Sequence, residues 1–223
     1  MQAEHLLNTR ITPLSGQETV AVALERLQEL DAHCLPMVDQ TTDKLIGQIH
    51  RKQLLREEQP ETPVSDLELE EPVKVFGNQH IFEAARLMFQ YEIDILPVVD
   101  PEISYRGAIL KQELLETLPE MLNLVSNGSI LTIQLDQVDF SLSEMVHLIE
   151  VEGAKILGLV VESPEQEGGE FTVSVKVNLR DASRVVSSLR RHDYTVIADD
   201  TSRDVFGFDM ENRADELIKY IDM

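Results

Sequence analysis

The residues of this chain that could do chemistry are a neighbouring histidine and cysteine, other scattered histidines and a few acidic pairs. His33 stands next to Cys34, and these are the residue types of a general base and a nucleophile. Adjacent side chains on a strand point to opposite faces, however, whereas a catalytic pair must converge. The six histidines show neither HExxH nor HxH spacing, and Asp199, Asp200 and Asp204 lack the Gly and final Glu of a calcium loop. No metal site is therefore expected.

Loops that cradle phosphate are also missing from the sequence. It contains no P-loop and no GxGxxG motif, and its only Gly pair, Gly168-Gly169, lies in an acidic turn where phosphate would be unfavourable. No acid, base and nucleophile converge by spacing. We expect no catalytic residues, no required cofactor and no enzymatic activity.

The composition limits both the class of protein and its partners. Of 223 residues, 43% are hydrophobic and 27% are charged, which is typical of a globular protein. Nineteen basic against 41 acidic residues give a net charge of −22, which repels phosphate backbones and anionic lipids. No apolar run approaches the ~20 residues of a membrane span, and the single cysteine forms no intramolecular disulfide. We expect a cytoplasmic protein that binds neither nucleic acid nor membranes.

The elements that would position any site form a duplicated unit in the first half. Residues 34–39 (CLPMVD) and 95–100 (ILPVVD) align at an offset of 61, and the same offset aligns Gly16 with Gly77 and Ala23 with Ala84. Apolar residues recur at helical spacing before each of these runs, and a second apolar run follows. Each copy is predicted to be strand, helix, strand, strand, helix. Pro36 is expected at a strand start or edge, where no ladder donor is missed.

With these motifs, residues 1–120 resemble a pair of CBS domains, with repeats 1–60 and 61–120. The resemblance implies two clefts that often hold an adenosyl compound such as AMP, ATP or S-adenosylmethionine. It also implies that backbone around the Pro strand holds adenine, while the end of the last strand and the following helix hold phosphate and ribose. In the first cleft these positions are Leu35, Pro36, His50 and Gln53; in the second they are Leu96, Pro97, Lys111 and Glu113.

Two interpretations of these clefts remain open. The family places Ser or Thr at the strand end and Asp three residues later, whereas this chain has His50 with Gln53, and Leu110 with Glu113. Either the substituted side chains bind a nucleotide, with Glu113 accepting from ribose hydroxyls and Lys111 meeting a phosphate, or side chains fill both clefts. Titration with the three adenosyl compounds distinguishes the two.

The second half predicts a different unit, a split βαβ arrangement over residues 129–198. Predicted strands cover 130–135, 155–161, 171–177 and 194–197, and predicted helices cover 141–149 and 182–189. Their order resembles an ACT domain, here residues 128–198, a family that binds amino acids at the first turn and pairs sheets between chains. Candidate residues in that turn are Asp136, Val138 and Asp139. Residues 199–223 are predicted to be a tail with a short amphipathic helix around 213–221.

The predicted fold class is therefore α/β (α+β), a tandem CBS pair plus a ferredoxin-like ACT domain, a combination resembling the acetoin-utilisation type of regulatory protein. It predicts a non-enzymatic sensor that binds an adenosyl nucleotide and dimerises, or binds a small-molecule effector, through the ACT-like domain. The alternative is a ligand-free scaffold with filled clefts that recruits a protein partner. Homodimerisation is expected, with apolar material from Phe82, Met88, Phe89 and Ile95.

Overall fold

A computed structural model of the chain describes residues 1–136, 141–164, 166 and 168–200. The chain divides into two compact units, Met1–Leu118 and Pro119–Met223. Residues 1–121 contain two copies of one sequence of elements, as the offset of 61 predicts, and the last turn of the final helix extends past the first unit. The first copy comprises β1 (Leu14–Ser15), α1 (Val20–Glu29), β2 (Cys34–Val38), β3 (Leu45–His50) and α2 (Arg51–Leu54); the second comprises β4 (Val75–Phe76), α3 (Ile81–Gln90), β5 (Ile95–Val99), β6 (Tyr105–Leu110) and α4 (Lys111–Met121).

Each copy folds into a three-stranded sheet with the same topology. The orders are β1-β2-β3 and β4-β5-β6, in which the first pair of strands is parallel and the second pair is antiparallel. The helices α1 and α3 are both ten residues long and bury equivalent residues, Val20 and Ala23 in one, Ile81 and Ala84 in the other. Their apolar positions recur at helical spacing, which is why one face of each packs on its sheet.

The leading segment of each repeat packs on the other repeat. The Ala3 amide donates to the Gln79 carbonyl at 2.8 Å, and the Val64 amide donates to the Glu18 carbonyl at 2.9 Å. The two donors, Ala3 and Val64, are 61 residues apart, and so are the two acceptors, Glu18 and Gln79. The two bonds therefore occupy equivalent positions of the two repeats. This exchange ties residues 62–66 to the first repeat and residues 1–4 to the second, although the sequence predicts a boundary at residue 60.

The expectation that Pro36 lies at a strand start or edge is wrong. It is the third of five residues in β2, the central strand of its sheet. Its partner Gln48 on β3 directs both its backbone N–H and its C=O to Glu70 instead, at 3.1 and 3.2 Å. Pro36 therefore occupies a non-hydrogen-bonded position of the ladder, where the missing N–H costs no bond. Pro97 in β5 repeats this arrangement.

The second unit is an antiparallel sheet covered on one face by two helices, in the predicted order. Its elements are β7 (Ser129–Leu135), α5 (Leu142–Val151), β8 (Ile156–Glu162), β9 (Phe171–Val177), α6 (Ser183–Arg191) and β10 (Thr195–Asp200). The strand order is β10-β7-β9-β8. Leu131 and Ile133 of β7 are fully buried in one core with both helices, while the alternate residues Thr132 and Gln134 are partly exposed. The predicted tail helix around 213–221 lies outside the described residues.

Among the described residues, none of the helices combines the length and the apolar character that crossing a bilayer requires.

Candidate functional site

The first candidate cleft lies where β3 ends and α2 begins. Gln53 accepts a hydrogen bond from the His50 amide at 2.7 Å through its side-chain oxygen, which joins the end of β3 to the first turn of α2. The side-chain nitrogen of Gln53 donates to the Glu68 carbonyl at 3.0 Å. The two residues that replace the family's Ser/Thr and Asp thus hold the start of α2 and residues 68–74, the linker that leads into β4.

The linker closes over this cleft through a buried glutamine that sequence reasoning did not single out. Gln48 is 6% exposed; its side-chain oxygen accepts from the Val73 amide at 3.1 Å, and its nitrogen lies 3.0 Å from Nε2 of His50. The same His50 nitrogen lies 3.3 Å from a Glu70 carboxylate oxygen. Gln48, His50 and Glu70 therefore form one polar network between β3 and the linker.

A cationic cavity opens beside this network. Its volume is about 500 Å³, and Arg51, Lys52 and Arg56 line it. All three side chains are exposed, and none forms an ion pair within the part of the chain that the structure describes. Glu70 and Glu92 are the carboxylates of its lining. Three unpaired cations around one cavity can bind an anion such as phosphate by charge-assisted hydrogen bonds.

A larger cavity of about 1000 Å³ adjoins the cationic one. The two share four lining residues, Gln53, Arg56, Glu70 and Tyr91. Linker residues 68–74 form one side of the larger cavity. A ligand with its anionic group at Arg56 therefore has room to extend along the linker.

The second cleft is closed differently and has the opposite charge. Glu113 accepts a hydrogen bond from the Asn8 side chain at 2.8 Å, and the Asn8 backbone pairs with Ala108 on β6. The Lys111 ammonium lies 4.8 Å from the centre of the Phe89 ring. The nearby cavity, about 440 Å³, has Lys111 as its cation against three carboxylates, Asp31, Asp94 and Glu116. This arrangement is unfavourable for phosphate.

The four residues expected near adenine lie in the strands. Leu35 and Leu96 are fully buried, and Pro36 and Pro97 are buried beside them in β2 and β5. None of the four lines the three cavities described above.

His33 and Cys34 do not converge. Cys34 is 1% exposed, and burial, reinforced by the negative charge of Asp94, raises the pKa of its thiol to about 12. The His33 ring points outward and bonds the Asp94 carboxylate, which occupies the equivalent position of the second repeat. A buried thiol that stays protonated is a poor nucleophile. Across the described residues, no group of three or more His, Cys, Asp or Glu side chains could hold a metal ion.

In the second unit, one of the three candidate turn residues can be placed. Asp136 lines a cavity of about 430 Å³ together with Glu144, Glu170, Asp193 and His192. Val138 and Asp139 lie outside the described residues. The four carboxylates of this lining disfavour the carboxylate of an amino acid.

Comparison with known proteins agrees with the duplication. A sequence model of the CBS domain family matches residues 3–59 and again residues 64–120. A CBS domain pair/ACT domain protein from Thermotoga maritima has a TM-score of 0.50 and 22% identity, over 55% of this chain and 99% of that one. A protein assigned to acetoin utilization (AcuB) from Vibrio cholerae gives 0.48 and 23%, over 56% and 95%. CBSX2 in complex with AMP gives 0.46 and 22%, over 53% and 96%. The chain belongs to the CBS domain family and carries two tandem copies of that domain.

Proposed function

We propose that this chain is a non-enzymatic regulatory protein whose first cleft binds an adenosyl nucleotide. The observation that carries this proposal is the group of unpaired cations, Arg51, Lys52 and Arg56, around one cavity of a chain whose net charge is −22. Most of the surface repels phosphate, and this cavity attracts it. AMP and ATP fit the charge better than S-adenosylmethionine does, because its sulfonium adds a positive charge. A single, buried cysteine suits a reducing cytoplasm.

The linker is the element through which such a ligand would act. Gln53 and Glu70 line both cavities. Gln53 holds the linker by donating to the Glu68 carbonyl, and Glu70, itself a linker residue, contacts His50. A nucleotide that takes over the hydrogen bonds of Gln53 would bind one linker position better than another. Only such differential affinity shifts a conformational population.

The second candidate function is a ligand-free scaffold, and the closed second cleft favours it. The Asn8–Glu113 bond uses one oxygen of the carboxylate that would accept from ribose and places the Asn8 side chain against it. In the first cleft, Gln53 is likewise already bonded by both of its polar atoms. If these bonds persist, the acidic surface recruits a protein partner.

Calorimetric titration with AMP, ATP and S-adenosylmethionine separates the two functions. The double variant Arg51→Gln/Lys52→Gln is expected to weaken AMP or ATP binding about tenfold or more, since two charge-assisted contacts are lost. Lys111→Gln is the matched control, because Lys111 occupies the position of Arg51 in the second repeat, and it is expected to leave affinity unchanged. Absence of binding by the unmodified protein at millimolar nucleotide would select the scaffold.

We further propose that residues 128–198 are an ACT-like domain that forms a homodimer through β8. This strand is at the edge of its sheet and carries a single charge, Glu162. Val160 and Val161 are 42% and 36% exposed. An edge strand with so little charge can pair with its own copy. In light scattering, Val160→Lys is expected to lower the molar mass, whereas Ile197→Lys on the opposite edge leaves it unchanged; equal effects would contradict pairing through β8.

A further inference from the structure

The two helices of the second unit carry opposite charges on their exposed sides. Residues 180–191, which lead into and form α6, contain four arginines and one aspartate, a net charge of +3. The rest of residues 119–200 has 13 acidic and two basic residues, and α5 contains two glutamates and neither Lys nor Arg. All four arginines are exposed. We call them the arginine face of α6: Arg180, Arg184, Arg190 and Arg191.

The fold of this unit makes little use of the arginine face. Arg191 lies 3.6 Å from Glu152, and among the described residues it is the only arginine of the face with an ion pair. Asp181, the carboxylate of the same stretch of chain, instead accepts hydrogen bonds from the amide and the hydroxyl of Ser183. Exposed side chains of this kind contribute little to folding stability, so the face is available to an acidic partner.

The chain leaves the described part of this unit beside the same helix. Strand β10 ends at Asp200, which pairs with Ile130 on β7. The hydroxyl of the neighbouring Ser129 donates to the Leu179 and Arg180 carbonyls, both at 2.8 Å. The residues after Asp200 therefore start at the end of the sheet where the chain enters α6.

The segment that follows carries the complementary charge. Residues 209–222 contain five acidic and two basic residues, a net charge of −3. Asp215 and Asp222 are seven residues apart, as are Arg184 and Arg191 on α6. Seven residues are close to two turns of helix, so in the helix predicted for this segment both carboxylates face one side and can meet both arginines. Opposite charges at matched spacing favour one partner over others.

The reach and the apolar residues of the segment also suit this position. The chain from Asp200 to residue 209 extends to about 30 Å at most, whereas α6, with nine residues, is about 13.5 Å long. Arg190 donates to the Val196 carbonyl at 3.5 Å, and the next residue of β10, Ile197, is 52% exposed. An apolar surface thus lies beside the arginine face. The segment has a stripe of apolar residues at helical spacing to cover it: Ala214, Leu217, Ile218 and Ile221.

We infer that residues 209–222 dock on the arginine face of α6 in the same chain, with their apolar stripe against Ile197. While the segment is docked, it withholds the face from any other acidic partner. Helix α6 packs against β10, whereas α5 packs against β8. The contact is therefore separate from pairing through β8, and it does not depend on nucleotide binding.

Cysteine cross-linking of the full-length protein tests the contact. Ser187 is exposed on α6 between the arginines, so Ser187→Cys/Lys219→Cys, treated with a short bifunctional thiol reagent, is expected to cross-link within one chain. The matched control is Ser143→Cys/Lys219→Cys, which uses an exposed serine of α5 and is expected to cross-link far less. The native Cys34 is buried, so the introduced thiols report alone. Equal yields from the two pairs, no cross-link, or cross-links only between chains would overturn the inference.

Charge reversal with rescue supplies the quantitative test. Added to the cross-linking pair on α6, Arg184→Glu/Arg191→Glu is expected to lower the yield about fivefold or more, since two attractions become repulsions. Further substitution of Asp215→Arg/Asp222→Arg is expected to restore the yield, and Lys155→Glu, at an exposed cation of the same unit, is expected to leave it unchanged. A loss that the second pair of substitutions does not restore would show that the arginines only stabilise α6, and would contradict docking.

Discussion

Replacing Gln48 by alanine removes the side chain that holds the linker over the first cleft. The equivalent residue of the second repeat is already alanine, Ala108, and its backbone still pairs with the segment beside it, at 2.8 and 3.1 Å to Asn8. The strand therefore tolerates alanine at this position. Any loss of stability in Gln48→Ala reports the side-chain hydrogen bonds rather than the strand geometry.

The size of the effect follows from two contacts. The Gln48 side-chain oxygen is the acceptor of the Val73 amide at 3.1 Å, and its nitrogen contacts His50 at 3.0 Å. Leaving a buried donor unsatisfied costs about 1–3 kcal/mol, and Val73 is only partly buried, so we expect a loss of about 1–2 kcal/mol. This corresponds to an opening equilibrium constant about 5–30-fold larger, and hence to exchange faster by the same factor.

Hydrogen exchange of the Val73 amide, with urea unfolding alongside, measures this loss. Exchange at Val73 is expected to accelerate by that factor in Gln48→Ala. Gln112→Ala is the control: that side chain is exposed and bonds only Glu116 on its own helix, so its stability is expected to change by less than about 0.5 kcal/mol. An unchanged exchange rate at Val73 would refute the assignment of Gln48 as the linker tether.

Three further predictions concern single residues. Hydrogen bonds from Thr41 and Thr42 lower the pKa of Asp39 from 3.8 to about 2. The contribution of these bonds to stability is therefore present above pH 3.8 and disappears as the pH falls through about 2. An NMR titration midpoint of Asp39 near 4 would contradict this. Cys34 is expected to resist alkylation at pH 8 until denaturant is added, since burial raises its pKa to about 12, and rapid labelling of the folded protein would count against it. Gly107→Ala is expected to cost about 1–3 kcal/mol of stability through backbone strain, and the added Cβ would also lie only 2.9 Å from a backbone oxygen. Gly153→Ala is expected to cost less in thermal unfolding, because a Cβ added there has no atom within 4 Å. Equal losses in the two variants would show that the clash is relieved.

Much of the fold could be predicted because its signals are local. Buried strands need short apolar runs, and residues 34–39 and 95–100 supply nearly the same run twice. The position of Pro36 was mispredicted because proline is excluded only where its missing N–H would break a hydrogen bond between strands. Opposite Pro36, the backbone of Gln48 bonds Glu70 in the linker instead of β2, so no such bond is lost. No sequence pattern distinguishes that glutamate from the acidic residues around it.

The candidate site was only partly predictable for the same reason. Gln48 is a polar residue in an apolar strand, and nothing local indicates that its partners are Val73 and His50. Arg51 and Lys52 are typical of a solvated helix start, and only the folded chain brings Arg56 beside them around one cavity. The closure of the second cleft likewise joins Asn8 to a residue 105 positions away.

The sequence by itself determined the duplication, the order of strands and helices and the large negative charge, because periodicity and composition depend on neighbouring residues. The tertiary structure decided which cleft is cationic, which polar side chains are buried and which apolar ones are exposed. Met88 and Phe89 are adjacent in the chain, yet one is 0% and the other 53% exposed. The physical reason is that burial depends on the segments packed against a side chain, and those segments are distant in sequence.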